Sequence, residues 1–143
     1  MDPLPYKLLY STDITPHQTA NLPDAWLAPT TSSRVWIIQF QDVAFAHALL
    51  LNLKTRAKLS VFISLEESIN YVKVFEDLSI AAGSPRKVNI GNMPCKYLKL
   101  CIGKTVGLKR KDVEVLGVPG TAINSIIPDT EDLLIKRPLT ILF

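Results

Sequence analysis

Leu59-Ser60-Val61-Phe62-Ile63-Ser64 is the stretch on which the fold turns. Leu59, Val61 and Ile63 fall on one side of an extended chain, with Ser60, Phe62 and Ser64 on the other. A period of two, carried by β-branched and aromatic side chains, marks a half-buried strand and does not fit the 3.6-residue repeat of a helix. The pattern recurs outward. Toward the N-terminus, Leu49, Leu51 and Leu53 alternate with Leu50 and Asn52, and Trp36, Ile38 and Phe40 alternate with Ile37 and Gln39. Toward the C-terminus, Val72 and Val74 alternate with Tyr71, Lys73 and Phe75, and Val88 and Ile90 flank Asn89. Leu98, Leu100 and Ile102 then alternate with Tyr97, Lys99 and Cys101, and Val113 and Val115 with Asp112 and Glu114. Seven short strands with no long helical stretch between them predict an all-β, antiparallel β-sandwich.

Turn chemistry punctuates these runs at Ser84-Pro85, Gly91-Asn92-Met93-Pro94, Gly103-Lys104 and Gly107. Glu66-Glu67 and Glu76-Asp77 read as solvated acidic pairs in turns. Lys54, Arg56 and Lys58 fill a further turn, and Arg86-Lys87 another. Asp42 to Lys54 has two readings. Asp42 is a fair N-cap and Ala44, Ala46 and Ala48 favour a helix, whereas the Leu49 to Leu53 alternation favours a strand with Asp42 to His47 as its lead-in turn. Residues 11–33 are polar, Pro-broken and long for a loop, a kind of segment that carries function or covers a core. Pro128 to Lys136 has an acidic start and a basic finish that suit a short helix, and Pro138 stops it. The apolar Leu139-Thr140-Ile141-Leu142-Phe143 then docks on its own sandwich, docks on a partner, or continues into further chain. The division is a domain over residues 1–122 and a helical or extended tail over 123–143.

With 48% hydrophobic and 20% charged residues, intrinsic disorder is excluded for most of the chain. A net charge of +3 is too mild to argue for nucleic acid by itself. The most apolar run, Val43 to Leu53, is shorter than the about 20 residues of a membrane span, and residues 1–7 show no signal-peptide pattern. Cys95 and Cys101 match no C-x-x-C spacing and read as two reduced core thiols, with an extracellular disulfide between them as the alternative.

The search for chemistry is mostly negative. G-x-S-x-G, H-E-x-x-H, the P-loop and G-x-G-x-x-G are all absent from the sequence. His17 and His47 share no ligand spacing with the cysteines, so neither a metal nor a cofactor is expected. No nucleophile or acid–base pair can be named, and the chain reads as a non-enzyme. Basic residues are more suggestive. Lys104, Lys109, Arg110 and Lys111 surround Gly103 and Gly107 and, with Arg56, form a candidate binding face able to meet an acidic partner. Trp26, in the long loop, either closes one end of the core or anchors a ligand.

The order of these elements resembles a known family. Asn21-Leu22-Pro23-Asp24 followed by Trp26 is similar to the opening of discoidin-like, galactose-binding-like jelly rolls, the coagulation-factor type C group. Val35-Trp36-Ile37-Ile38-Gln39-Phe40, Leu59 to Ser64, Cys95-Lys96-Tyr97-Leu98-Lys99-Leu100 and Val113-Glu114-Val115-Leu116-Gly117 resemble four of its strands in the family's order. Departures carry information too. The terminal cysteine pair of the extracellular members is missing, and the loop after Asp24 is shortened where those members often cradle a calcium ion. The resemblance therefore implies the intracellular branch, with ciliary, centrosomal and PITH-like members, and no metal. It implies a non-enzymatic protein–protein interaction module of a cytoplasmic scaffold, associated with the cytoskeleton, the centrosome or the cilium, whose partner is a protein with an acidic surface. The alternatives are a carbohydrate- or phospholipid-binding module using the loops around Trp26, or a DNA-repair-type scaffold domain using the basic loops.

Overall fold

The computed structural model describes residues 2–13, 22–28, 33–103 and 107–120. Six strands account for most of them: β1 Lys7–Ser11, β2 Ser33–Leu53, β3 Ala57–Ser64, β4 Val72–Ile80, β5 Gly83–Gly103 and β6 Val113–Pro119. Single 3-10 turns at Asp24–Trp26 and Arg110–Asp112 complete the described elements. All strand pairs are antiparallel, in the order β1-β2-β5-β3-β4, with β6 also paired to β2. The all-β sandwich expectation holds.

β2 and β5, each 21 residues long, form one bent ribbon that belongs to both layers. Residues 33–39 of β2 lie between β1 and the C-terminal half of β5. Residues 44–53 lie between β6 and its N-terminal half. The bend falls between the pairs Gln39↔Tyr97 and Ala44↔Cys95, where β2 advances five residues against two on β5. A surplus of unpaired residues on one strand forces curvature. Trp36 and Ile38 from one half and Leu49, Leu51, Val88, Val113 and Val115 from the other then share a single buried cluster.

The ribbon corrects several turn expectations. Asp42 to His47 is neither helix nor lead-in turn, because it continues β2. Gly91-Asn92 does not reverse the chain. Both residues take positive φ, 96° and 58°, inside β5, where β5 advances four residues between Met93 and Asn89 against two on β2. The same residue types serve a tight turn and a β-bulge, and here the bulge wins. Ser84-Pro85 and Arg86-Lys87 are part of β5, and Lys58 is in β3, with only Lys54 to Arg56 left in the connecting turn. Glu76-Asp77 lies within β4, with Asp77 at φ 54°. Seven expected strands thus become six, because two pairs merge and β1 is added.

The five-stranded layer is covered on its outer face as well. Tyr10, Val35, Ile37 and Cys101 form a second buried cluster packed by Leu22, Trp26 and Ala28. Burial on both faces accounts for the near-continuous apolar run Val35 to Ile38. The two thiols are free and buried, Cys95 in the inner cluster and Cys101 in the outer one. Lying on opposite faces of the sheet, they cannot bridge. Burial pushes Cys95 from 9.0 up to about 12 and raises Cys101 as well. The expected tail, residues 123–143, lies outside the described residues. Among the described residues no helix is long and apolar enough to cross a membrane.

Candidate functional site

The basic loop is shaped by Asp112. Its carboxylate, largely buried, accepts hydrogen bonds from the Lys109 backbone N–H at 2.7 Å and from Asn52 Nδ2 at 3.2 Å. With Asp112 and Leu108 turned inward, Lys109, Arg110 and Lys111 are left exposed. Arg110 does not simply dangle in water. Its guanidinium stacks 4.3 Å from the centroid of the Tyr6 ring, and Nη2 donates to the Tyr6 carbonyl. Tyr6 in turn donates from its hydroxyl to the Val113 carbonyl at 2.8 Å. Burial raises the pKa of this phenol, with the Arg110 cation opposing the rise and the Glu114 carboxylate adding to it.

Tyr6 and Pro5 form a ridge between two open clefts. One, of about 530 Å³, carries Arg110, Lys111 and Glu114 on its walls. The other, of about 450 Å³, carries Lys7, Gln39 and Gln41, with Phe40 behind them. Cations, two side-chain amides, a carboxylate and an aromatic ring are thereby brought together, and most of them stand on strands. Such a surface can hydrogen-bond hydroxyl and carboxylate groups.

The remaining sequence candidates lie elsewhere or apart. Arg56, in the turn after β2, is exposed and donates to Ser79 Oγ on β4 at 3.2 Å, away from Tyr6. Lys104 lies outside the described residues. Trp26 is half-buried on the outer face of the larger layer, 6.1 Å from the Tyr10 ring, and its indole N–H donates to the Ser68 carbonyl at 2.8 Å. Nδ1 of His47 stands 3.3 Å from Asn92 Oδ1. Among the described residues no group of three His, Cys, Asp or Glu side chains converges as a metal site.

Tyr6, Lys7, Gln39 and Gln41 were not signalled by the sequence. Tyr6 meets Arg110 across 104 positions and Val113 across 107, so no local motif could announce the pairing.

No protein-family model matches the chain, and no curated protein is similar to it at a significant level. Solved structures are similar in fold. A pectin binding carbohydrate binding module aligns at a TM-score of 0.50 and 13% identity, over 79% of this chain and 88% of that one. The C-terminal domain of a chitobiase from Bacteroides fragilis aligns at 0.53 and 14%, over 82% and 99%. At such identities the likeness is one of fold, and it agrees with an all-β sandwich.

Proposed function

We propose that the chain is a non-catalytic binding module whose ligand is an acidic carbohydrate, held across the two clefts that share Tyr6. The observation that carries this reading is the lining itself. Gln41 offers an exposed amide, Gln39 a second one that also donates to the Tyr97 hydroxyl at 3.4 Å, Pro5 and the half-buried Tyr6 offer an apolar ridge, and Lys7, Arg110 and Lys111 outnumber Glu114. Cations in excess select a glycan bearing carboxylates over a neutral one. The similar fold of a pectin binding module supports the class of ligand.

Electrophoresis through gels cast with polygalacturonate or with a neutral glucan tests it. The chain should be retarded by the acidic polymer alone. Lys7→Glu with Lys111→Glu should abolish retardation, and Gln39→Ala with Gln41→Ala should weaken it, which charge attraction alone would not produce. Free migration in both gels, or retardation indifferent to all four substitutions, would refute the assignment.

A second reading, the protein-binding scaffold module, is favoured by one specific observation. Four large apolar side chains, Leu65, Ile69, Val72 and Leu78, stand in solvent on one side of the molecule. On that reading the cations at positions 109–111 would meet an acidic protein surface, and binding would weaken as salt shortens the Debye length below ~10 Å. The cytoskeletal, centrosomal and ciliary location rests on the sequence resemblance alone.

A further inference from the structure

β4 ends the larger layer: β3 pairs with one of its edges, and no described strand pairs with the other. Its register with β3 is Ile63↔Val72, Val61↔Phe75 and Leu59↔Leu78. Residues opposite each other in an antiparallel pair share a face, so Val72, Phe75 and Leu78 form one stripe on the core-facing side. Phe75 packs against the core cluster, but Val72 and Leu78 are 66% and 44% exposed. The stripe is symmetric about Phe75. From Phe75 to Val72, and again from Phe75 to Leu78, β4 advances three residues against two on β3. Each half thus carries one bulge and ends on an exposed apolar side chain at the same distance, ~7 Å along the layer.

The two ends of this edge carry opposite charge. Before the start of β4, Glu66 and Glu67 are exposed, between Leu65 and Ile69, which are each 50% exposed. Glu67 accepts from Asn70 Nδ2 at 2.9 Å, a neutral donor that leaves its charge in place. Arg56, Lys58 and Arg86, all exposed, stand at the other end. Arg56 Nη1 donates to Ser79 Oγ at 3.2 Å, and Lys58 lies opposite Ser79 in β3. Arg86 donates to the carbonyl of Ala82, just past the end of β4. Between the ends, Lys73 pairs with Glu76 at 3.4 Å and Asp77 is exposed.

An edge with an acidic end, a basic end and a symmetric apolar middle is complementary to a reversed copy of itself. We propose that two copies of this chain associate through β4, antiparallel and related by a two-fold axis beside Phe75. Val72 then meets the partner's Leu78, Phe75 meets the partner's Phe75, and Lys73 comes opposite the partner's Asp77, with the off-axis contacts made twice. Glu66 and Glu67 come to the end where the second copy presents Arg56 and Lys58. A foreign protein would have to match this arrangement, whereas a second copy already carries it. The bulges interrupt the row of free backbone groups, so contact is made through side chains and closes at two chains in place of an open ladder. The Tyr6 ridge, beside β1 at the opposite edge of the layer, stays uncovered, so association can be measured without any ligand.

Sedimentation velocity of the full chain over a range of concentrations tests it. The mass should rise from one chain to two and no further. Val72→Asp with Leu78→Asp should leave a monomer throughout; both side chains are already exposed, and circular dichroism checks that the fold is kept. Charge exchange is independent of that variant. Glu66→Lys with Glu67→Lys, and separately Arg56→Glu with Lys58→Glu, should each weaken self-association several-fold. An equimolar mixture of these two variants should recover the parental affinity, because in the mixed dimer every acidic end again meets a basic one. A monomer at all concentrations, growth beyond two chains, a dimer indifferent to the Val72 and Leu78 changes, or a mixture that does not recover would each overturn the proposal.

Discussion

Replacing Asp13 by Ala tests how the N-terminal segment is locked onto the sandwich. The Asp13 side chain is 3% exposed; one carboxylate oxygen accepts from the Arg34 guanidinium and the other from the Trp36 indole N–H at 2.9 Å. Two losses follow from truncation. Trp36 is fully buried, so its indole N–H is left without an acceptor, at a cost of ~1–3 kcal/mol. The Arg34 side chain is 32% exposed and can turn to water, so the lost ion pair adds only ~0–1 kcal/mol. The total of ~1–4 kcal/mol corresponds to a drop in Tm of roughly 4–16 °C for a domain of this length. Thermal and urea unfolding followed by circular dichroism would measure it. A second variant locates the cause. In a Trp36→Phe background the indole donor is already gone, so Asp13→Ala should cost ~1 kcal/mol or less. An Asp13→Ala protein that melts within 1 °C or so of the parent, or one whose loss is the same in both backgrounds, would refute the reasoning.

Two further predictions concern the core. A Cβ at Gly117 would lie 2.2 Å from the Phe45 carbonyl oxygen, a backbone atom that cannot swing away; Gly117→Ala should therefore destabilise by about 1–3 kcal/mol in denaturant titrations, and an unchanged midpoint would contradict that close approach. Cys95 titrates at 9.0 when unperturbed and at about 12 in the fold. Above pH 9 the unfolded thiol releases its proton while the folded one keeps it, so the stability present below that pH is lost as it rises toward 12, at up to ~1.4 kcal/mol per pH unit. Denaturant midpoints across that window should fall less steeply for Cys95→Ala, and an identical slope would exclude Cys95 as the cause.

The strands were legible because alternation is a local signal, set by which face of the backbone meets the core. Their lengths were not. Whether Gly91-Asn92 reverses the chain or bulges within it depends on a partner strand more than forty positions away, at Ala46 and Ala48. Glu76-Asp77 looked like a turn for the same reason, since an edge strand with one solvated side tolerates charges that a central strand would not. The cysteines show how register defeats spacing. Six positions apart on a regular strand they would share a face, but the bend of β5 between Cys95 and Tyr97 puts them on opposite ones. For the candidate site, the cations at 110 and 111 were visible as a cluster, whereas the Tyr6 ring and the two amides that give them a shaped surface come from the N-terminal segment and from β2. Arg56 belongs to the same sequence cluster by charge but reaches toward β4 instead.

The central claim is that an acidic saccharide lies across the Tyr6 ridge. Amide chemical-shift mapping of the folded chain during titration with a galacturonate oligosaccharide tests it most directly. The account predicts saturable shifts centred on Tyr6 and Lys7, Gln39 to Gln41, and Arg110 to Lys111, all moving with one binding constant. Shifts confined to the Trp26 loop, or a spectrum that does not change, would contradict it.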